Sequence, residues 1–140
     1  MMLEPIPPSR VLHEWGAISA GLKQAVKRDP KANWLDMLGM AISGQMQFFR
    51  CSGPSDGFLA VEVQRLPGTS KRALVIVYAG GLGNGADDMR AMMEVIEEFA
   101  LKAQCSEVQF TGRAGWARVF RDYRTSNDPD GRRWFRKAIT

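Results

Sequence analysis

Four glycines fall within six residues, at Gly80, Gly81, Gly83 and Gly85, inside the segment VYAGGLGNGADDM (residues 77–89). An apolar run enters this segment and helical spacing leaves it. Backbone N–H groups at such a strand-to-helix turn can cradle a phosphate, because they converge at a helix N-terminus and carry its partial positive charge. Glycine lets the backbone reach φ > 0 and lets a ligand approach closely. The next residues oppose that chemistry. Asp87 and Asp88 belong to the first helical turn, where carboxylates cap open N–H groups and favour the macrodipole. An anion about 4 Å from such a charge meets a repulsion on the order of 1–4 kcal/mol. No lysine or arginine lies between Tyr78 and Met89, and Arg90 would have to turn toward the loop to compensate. Two readings stay open: an anion cradle, or a glycine-rich turn with an aspartate-capped helix and no ligand. The residues favour the second.

Other chemistry is poorly supplied. The only histidine is His13, and Cys51 and Cys105 form no CxxC pair. Neither a Cys–His zinc site nor a histidine-activated nucleophile is expected. The two cysteines read as free buried thiols of a reducing compartment. Net charge is +4, but it is uneven. From Arg113 onward there are eight basic residues against three acidic ones, whereas the remainder has eleven against twelve. The positive excess therefore sits in the last fifth of the chain. It is either a solvated face or the footprint of an acidic partner such as nucleic acid. No apolar run approaches the ~20 residues of a membrane span. The first ten residues lack the pattern of a signal peptide, so a cytoplasmic protein is expected.

The elements that must position these residues follow from periodicity. The 140 residues, 45% hydrophobic and 24% charged, fit a single globular domain, 1–140. Residues 1–10 hold three prolines and read as an extended arm, or an edge strand at Leu3 to Ile6. Apolar residues at Val11, Trp15, Ile18, Leu22 and Val26 predict a helix that Ser9 would cap and Pro30 would end. Asn33 caps a second helix, through Trp34, Leu35, Leu38, Ala41 and Ile42, and Gly44 stops it. Trp15 and Trp34 read as core anchors. QMQFFRC is a strand, SGPSDG and PGTSKR are turns, and ALVIVYAG is a strand covered on both faces. FLAVEVQRL alternates, with Leu59, Val61 and Val63 inward and Ala60, Glu62 and Gln64 outward. A helix from Asp88 to Ala103 carries Met89, Met92, Met93, Ile96 and Phe99 as a core stripe. SEVQFTG is a strand, RAGWARVFRDY a short basic helix, TSNDPDG a turn and RRWFRKAI a last strand.

This order, an α+β (α/β) arrangement with a strand–helix–strand unit after linked hairpins, resembles the GNAT (Gcn5-related N-acetyltransferase) fold. That fold has a mixed, mostly antiparallel central sheet flanked by helices. Its pyrophosphate loop, Gln/Arg-x-x-Gly-x-Gly/Ala, corresponds to Gly80 through Gly85 here, with Gly80 standing where the Gln or Arg would be. A second likeness covers most of the chain. Cys105, Val108, Gly112, Arg113, Gly115, Trp116 and Arg118, together with Trp15, Leu22, Trp34, Gly44 and the YAGG strand end, resemble the pattern of small GNAT-like proteins of tailed phages and prophages. The resemblance implies acetyl-CoA as the cofactor of any enzyme. It implies Tyr78, Gly80, Gly81, Gly83, Gly85 and Arg113 as cofactor-binding residues. It also implies Glu62 as general base and Tyr123 as general acid. The family's tyrosine position falls on Phe120 or Arg121, and Tyr123 comes two or three residues late.

Three functions follow as expectations. The first is a non-catalytic GNAT-like protein of phage or prophage origin. It would have a structural or assembly role, protein partners or a homo-oligomer, and a place in the host cytoplasm or a virion. The second is an acetyl-CoA-dependent N-acetyltransferase with a degenerate loop. The third is a nucleic-acid-binding module built on the arginine-rich C-terminal segment.

Overall fold

The computed structural model describes residues 2–52, 57–82, 85–127, 129 and 131–140. In chain order these form β1 (Met2–Ile6), α1 (Pro8–Lys27), α2 (Trp34–Ser43), β2 (Met46–Ser52), β3 (Gly57–Arg65), β4 (Arg72–Gly80), α3 (Ala86–Lys102), β5 (Glu107–Gly112), a 3-10 turn (Ala114–Arg118), β6 (Arg124–Asn127) and β7 (Arg133–Ala138). The strands order as β1-β2-β3-β4-β5-β7-β6 in a seven-stranded sheet. The ladders β1–β2, β2–β3, β5–β7 and β6–β7 run antiparallel, and β4–β5 is parallel. The fold is the mixed, mostly antiparallel α+β architecture expected. Among the described residues no helix is long and apolar enough to cross a membrane. The chain separates into two compact units, residues 1–62 with 77–83, and residues 63–76 with 84–140.

In the first unit, α1 begins at Pro8 with Pro7 as the flanking residue, so Ser9 lies inside the helix and does not cap it. Proline's fixed φ suits the first helical position, where its missing N–H is no loss. Asn33 caps α2 as expected, its side chain accepting from Leu35 N at 2.9 Å and Asp36 N at 3.2 Å. Gly44 ends that helix in the left-handed conformation at φ 85°. Val11, Ile18, Leu22 and Val26 of α1 and Met37 and Ala41 of α2 pack with Ile6, Phe48, Phe58 and Ala60 in one core. Trp15 sits edge-on to both Trp34 and Phe48, with ring centroids 5.9 Å apart in each pair. The expected half-exposed β3 is corrected: Gly57 to Val61 are all buried. The strand is interior, between β2 and β4, and Phe58 and Ala60 lie in the helix-covered core, so alternation there separates two buried faces.

In the second unit, Met89, Met92, Met93, Ile96 and Ala100 make the buried stripe of α3. Phe110 of β5 stacks on Phe135 of β7 at 4.8 Å, and Phe120 and Tyr123 close around them. A side chain at Gly112 would meet the Trp116 ring at 2.9 Å, so glycine admits the indole; Gly115 meets nothing within 4 Å. RAGWARVFRDY forms only a 3-10 turn, and part of the expected turn TSNDPDG is strand β6. Both cysteines are buried, and burial raises the Cys105 thiol pKa, leaving it a poor nucleophile.

Candidate functional site

The C-terminal end of β4 reads from the sequence as either an anion cradle or, preferably, a turn with no ligand, and the structure shows what its glycines touch. A Cβ at Gly80 would land on the carbonyl oxygen of Gly21, in α1. A Cβ at Gly21 would in turn land on the Phe58 ring of β3. At Gly57, the first residue of β3, it would meet the Gly81 carbonyl oxygen at 2.5 Å and that of Gly80 at 2.9 Å. Helix, strand and strand thus converge on a joint made almost wholly of backbone. Gly81 adds a conformational need, since its φ is 67°. Packing accounts for Gly80, and backbone conformation for Gly81, without any ligand. Gly83 lies outside the described residues.

Gly85 flanks α3 with extended backbone (φ −81°, ψ 142°), and its carbonyl accepts from Met89 N at 3.0 Å. Neither its conformation nor its surroundings require glycine, and nothing in the structure explains it. Asp87 and Asp88 occupy the first turn of α3 as expected, but among the described residues no side chain caps that helix. Asp87 instead pairs with Arg90 at 2.5 Å, on the exposed surface. The expected capping is therefore corrected: the carboxylates act on the helix through the macrodipole, and the first-turn N–H groups have no side-chain partner among the described residues.

Tyr78, on β4, donates its hydroxyl to Asp29 Oδ2 at 2.7 Å. Burial, the Asp29 hydrogen bond and the charges of Asp29 and Glu62 all push the phenol pKa well above its ordinary value. Glu62 itself is half-buried, on the β3 face that carries Phe58 and Ala60. A phenol beside two carboxylates keeps its proton, and the carboxylates repel an anion. Asp29 was legible in the sequence only as part of a helix-breaking stretch, because 49 residues separate it from Tyr78.

Tyr123 is 6% exposed and packs against Phe110 at 5.3 Å and Phe120 at 5.9 Å. Its hydroxyl donates to Glu97 Oε2 at 2.7 Å. The other Glu97 oxygen accepts from Lys137 Nζ at 2.9 Å, and Lys137 also reaches Asp122 Oδ2 at 2.7 Å. Burial first, then the Glu97 hydrogen bond, raises the Tyr123 pKa far above the usual phenol range. Lys137 lowers the Asp122 pKa, and Asp122 with Glu97 raises that of Lys137. The phenol proton points into a satisfied network, which makes it a core anchor and a poor proton donor to a leaving group. No periodicity links these four residues, which come from α3, the segment before β6 and β7. Of the two positions where the resemblance would place a tyrosine, Phe120 is buried and Arg121 is exposed.

Arg113 flanks the 3-10 turn with extended backbone, its carbonyl accepting from Trp116 N at 3.0 Å. Its side chain is exposed, and among the described residues it pairs with no carboxylate. Among the described residues no group of three His, Cys, Asp or Glu could hold a metal ion.

No family model matches the sequence, and no curated protein matches it. Solved structures match by fold. One is a probable acetyltransferase from Staphylococcus epidermidis ATCC 12228, at TM-score 0.67 and 8% identity over 99% of each chain. Another is an acyl-CoA N-acyltransferase from Pseudomonas aeruginosa, at 0.65 and 12% over 98% of this chain and 99% of that one. A third is FeeM, an N-acyl amino acid synthase from uncultured soil microbes, at 0.65 and 8% over 99% and 95%. At these identities the likeness establishes the fold: this chain has the GNAT-like architecture of acyltransferases.

Proposed function

We propose that the chain uses this architecture as a scaffold without acetyl transfer, as a phage- or prophage-encoded GNAT-like protein with a structural or assembly role. The carrying observation is the joint at Gly80, where the Gly21 carbonyl fills the place of a recognition side chain. Two further features support it. The Tyr123 proton is committed to Glu97, and Asp87 and Asp88 stand in the first turn of α3. The phage or prophage assignment rests on the sequence pattern around Cys105 to Arg118. A protein partner in a particle, or a second copy of the chain, accords with a scaffold.

The test is acetyl-CoA titration by calorimetry and thermal shift. A ligand present at 100 times its Kd stabilises by about 2.7 kcal/mol. With an unfolding entropy of about 0.29 kcal/mol/K for 140 residues, that is a rise of about 9 °C. No shift at millimolar acetyl-CoA is expected. A shift of several degrees would overturn the proposal in favour of the second reading, an acetyl-CoA-dependent N-acetyltransferase. One observation favours that reading: the first-turn N–H groups of α3 have no side-chain cap among the described residues.

A further inference from the structure

The arginine-rich end of the chain is ordered into a two-sided sheet, and its two sides differ. Along β7, Phe135 and Lys137 face α3 and the aromatic core: Phe135 is fully buried, and Lys137 bonds Glu97. Alternation places Trp134 and Arg136 on the opposite side, with Arg132 just before the strand in the same phase. The register extends this side across three strands. Arg136 lies between Arg124 of β6 and Gln109 of β5, and Trp134 between Ser126 and Thr111.

Arg124, Ser126, Arg132 and Arg136 are exposed, and Trp134 is half-buried. Arg124 and Arg136 are direct cross-strand partners, and like charges so placed oppose pairing. Among the described residues, no carboxylate pairs with Arg124, Arg132 or Arg136. Glu107, which shares the face, accepts from Gln109 at 2.7 Å. The Arg136 guanidinium stands 6.0 Å over the Trp134 ring, joining cation and aromatic in one flat surface. Arg132 donates to the Thr111 carbonyl at 3.5 Å, which holds it beside that surface.

We propose that this face of β5, β7 and β6 binds single-stranded nucleic acid, with Arg124, Arg132 and Arg136 on phosphates and a base against Trp134. A surface with two unneutralised arginines opposed across a ladder, and a third four residues before Arg136, needs anions supplied at short repeat. The indole adds what a polyphosphate or an acidic peptide cannot use, a stacking plane. Two aromatic residues thus divide their roles: Phe135 belongs to the core, and Trp134 does not. The proposal stands on its own residues and does not depend on whether acetyl-CoA binds.

Fluorescence anisotropy with a labelled 20-nucleotide oligo-dT and the matching oligo-rU tests it. Three phosphate contacts give a salt slope of about −2, so affinity should fall roughly 20-fold between 50 and 200 mM salt. Arg124→Gln with Arg136→Gln should reduce the slope to about −0.7. Trp134→Ala should weaken binding about tenfold at fixed salt with the slope unchanged. Arg118→Gln with Arg121→Gln, exposed positions on and beside the 3-10 turn, should stay within twofold of wild type. Circular dichroism checks that each variant folds, and Trp134→Phe supplies a conservative alternative that should retain most of the affinity. Absence of binding at 50 mM salt overturns the proposal. So does a slope that the double variant leaves intact, or an equal loss in the 3-10 variants. Displacement by poly-glutamate as effective as by unlabelled oligonucleotide would reassign the face to an acidic polypeptide.

Discussion

Replacing Gly80 with alanine separates a packed joint from an open ligand loop by the sign of its effect. Gly80 is outside the left-handed region, so alanine can adopt its backbone conformation. In open space such a change stabilises by about 0.4–1 kcal/mol, through lost freedom of the unfolded chain. Here the added methyl would fall on the Gly21 carbonyl oxygen, with Leu22 Cα 3.7 Å away. These are backbone atoms of a helix, which cannot swing aside as a side-chain tip can. Overpacking of this kind costs about 1–3 kcal/mol. The net expectation is a loss of up to about 2.6 kcal/mol, or as much as ~9 °C in Tm from the same unfolding entropy. Differential scanning calorimetry of Gly80→Ala beside Gly85→Ala makes the comparison. The nearest atom to a Cβ at Gly85 is Asp88 Oδ2, 3.8 Å away, so that variant should be neutral or slightly stabilised. A Gly80→Ala protein more stable than wild type would refute the packing argument and with it the main support for a non-catalytic loop.

Tyr123→Phe should cost about 1.5–3 kcal/mol at pH 7, the worth of a hydrogen bond to a charged acceptor. Because the folded phenol titrates above its unfolded value near 10, the contribution is complete below pH 10 and fades as pH rises beyond it. Denaturation at pH 8, 9.5 and 11 should therefore show the gap between variant and wild type closing only at the top of the range; a constant gap contradicts it. Arg136→Glu should convert the Arg124–Arg136 repulsion into a cross-strand attraction and raise stability by about 0.2–1 kcal/mol. Oligonucleotide affinity should fall in the same protein. A loss of stability together with affinity would mark Arg136 as structural.

Local chemistry was what the sequence displayed best. Asn33 and Gly44 bound α2 because cap and stop act over three or four residues, and the α3 stripe is visible because its period is that of a helix. β6 was invisible because Arg124 to Asn127 are all exposed on an edge strand, so no burial pattern is imprinted on them. β3 misled because its alternation is real while both its faces are covered. Long-range pairs left no trace at all. Tyr78 with Asp29, and Tyr123 with Glu97 and Lys137, are joined only by the fold, and these contacts decide what the phenols can do.

The convergence of Gly21, Gly57, Gly80 and Gly81 also constrains how the sequence can drift. A crowded core position usually tolerates a larger residue when a neighbour becomes smaller. At Gly57 and Gly80 each partner is already the smallest residue, and the obstructing groups there are main-chain carbonyls common to every amino acid. No compensating replacement exists at those two contacts. Variation there must come from moving whole elements, so these positions should resist single changes however the surfaces around them diverge.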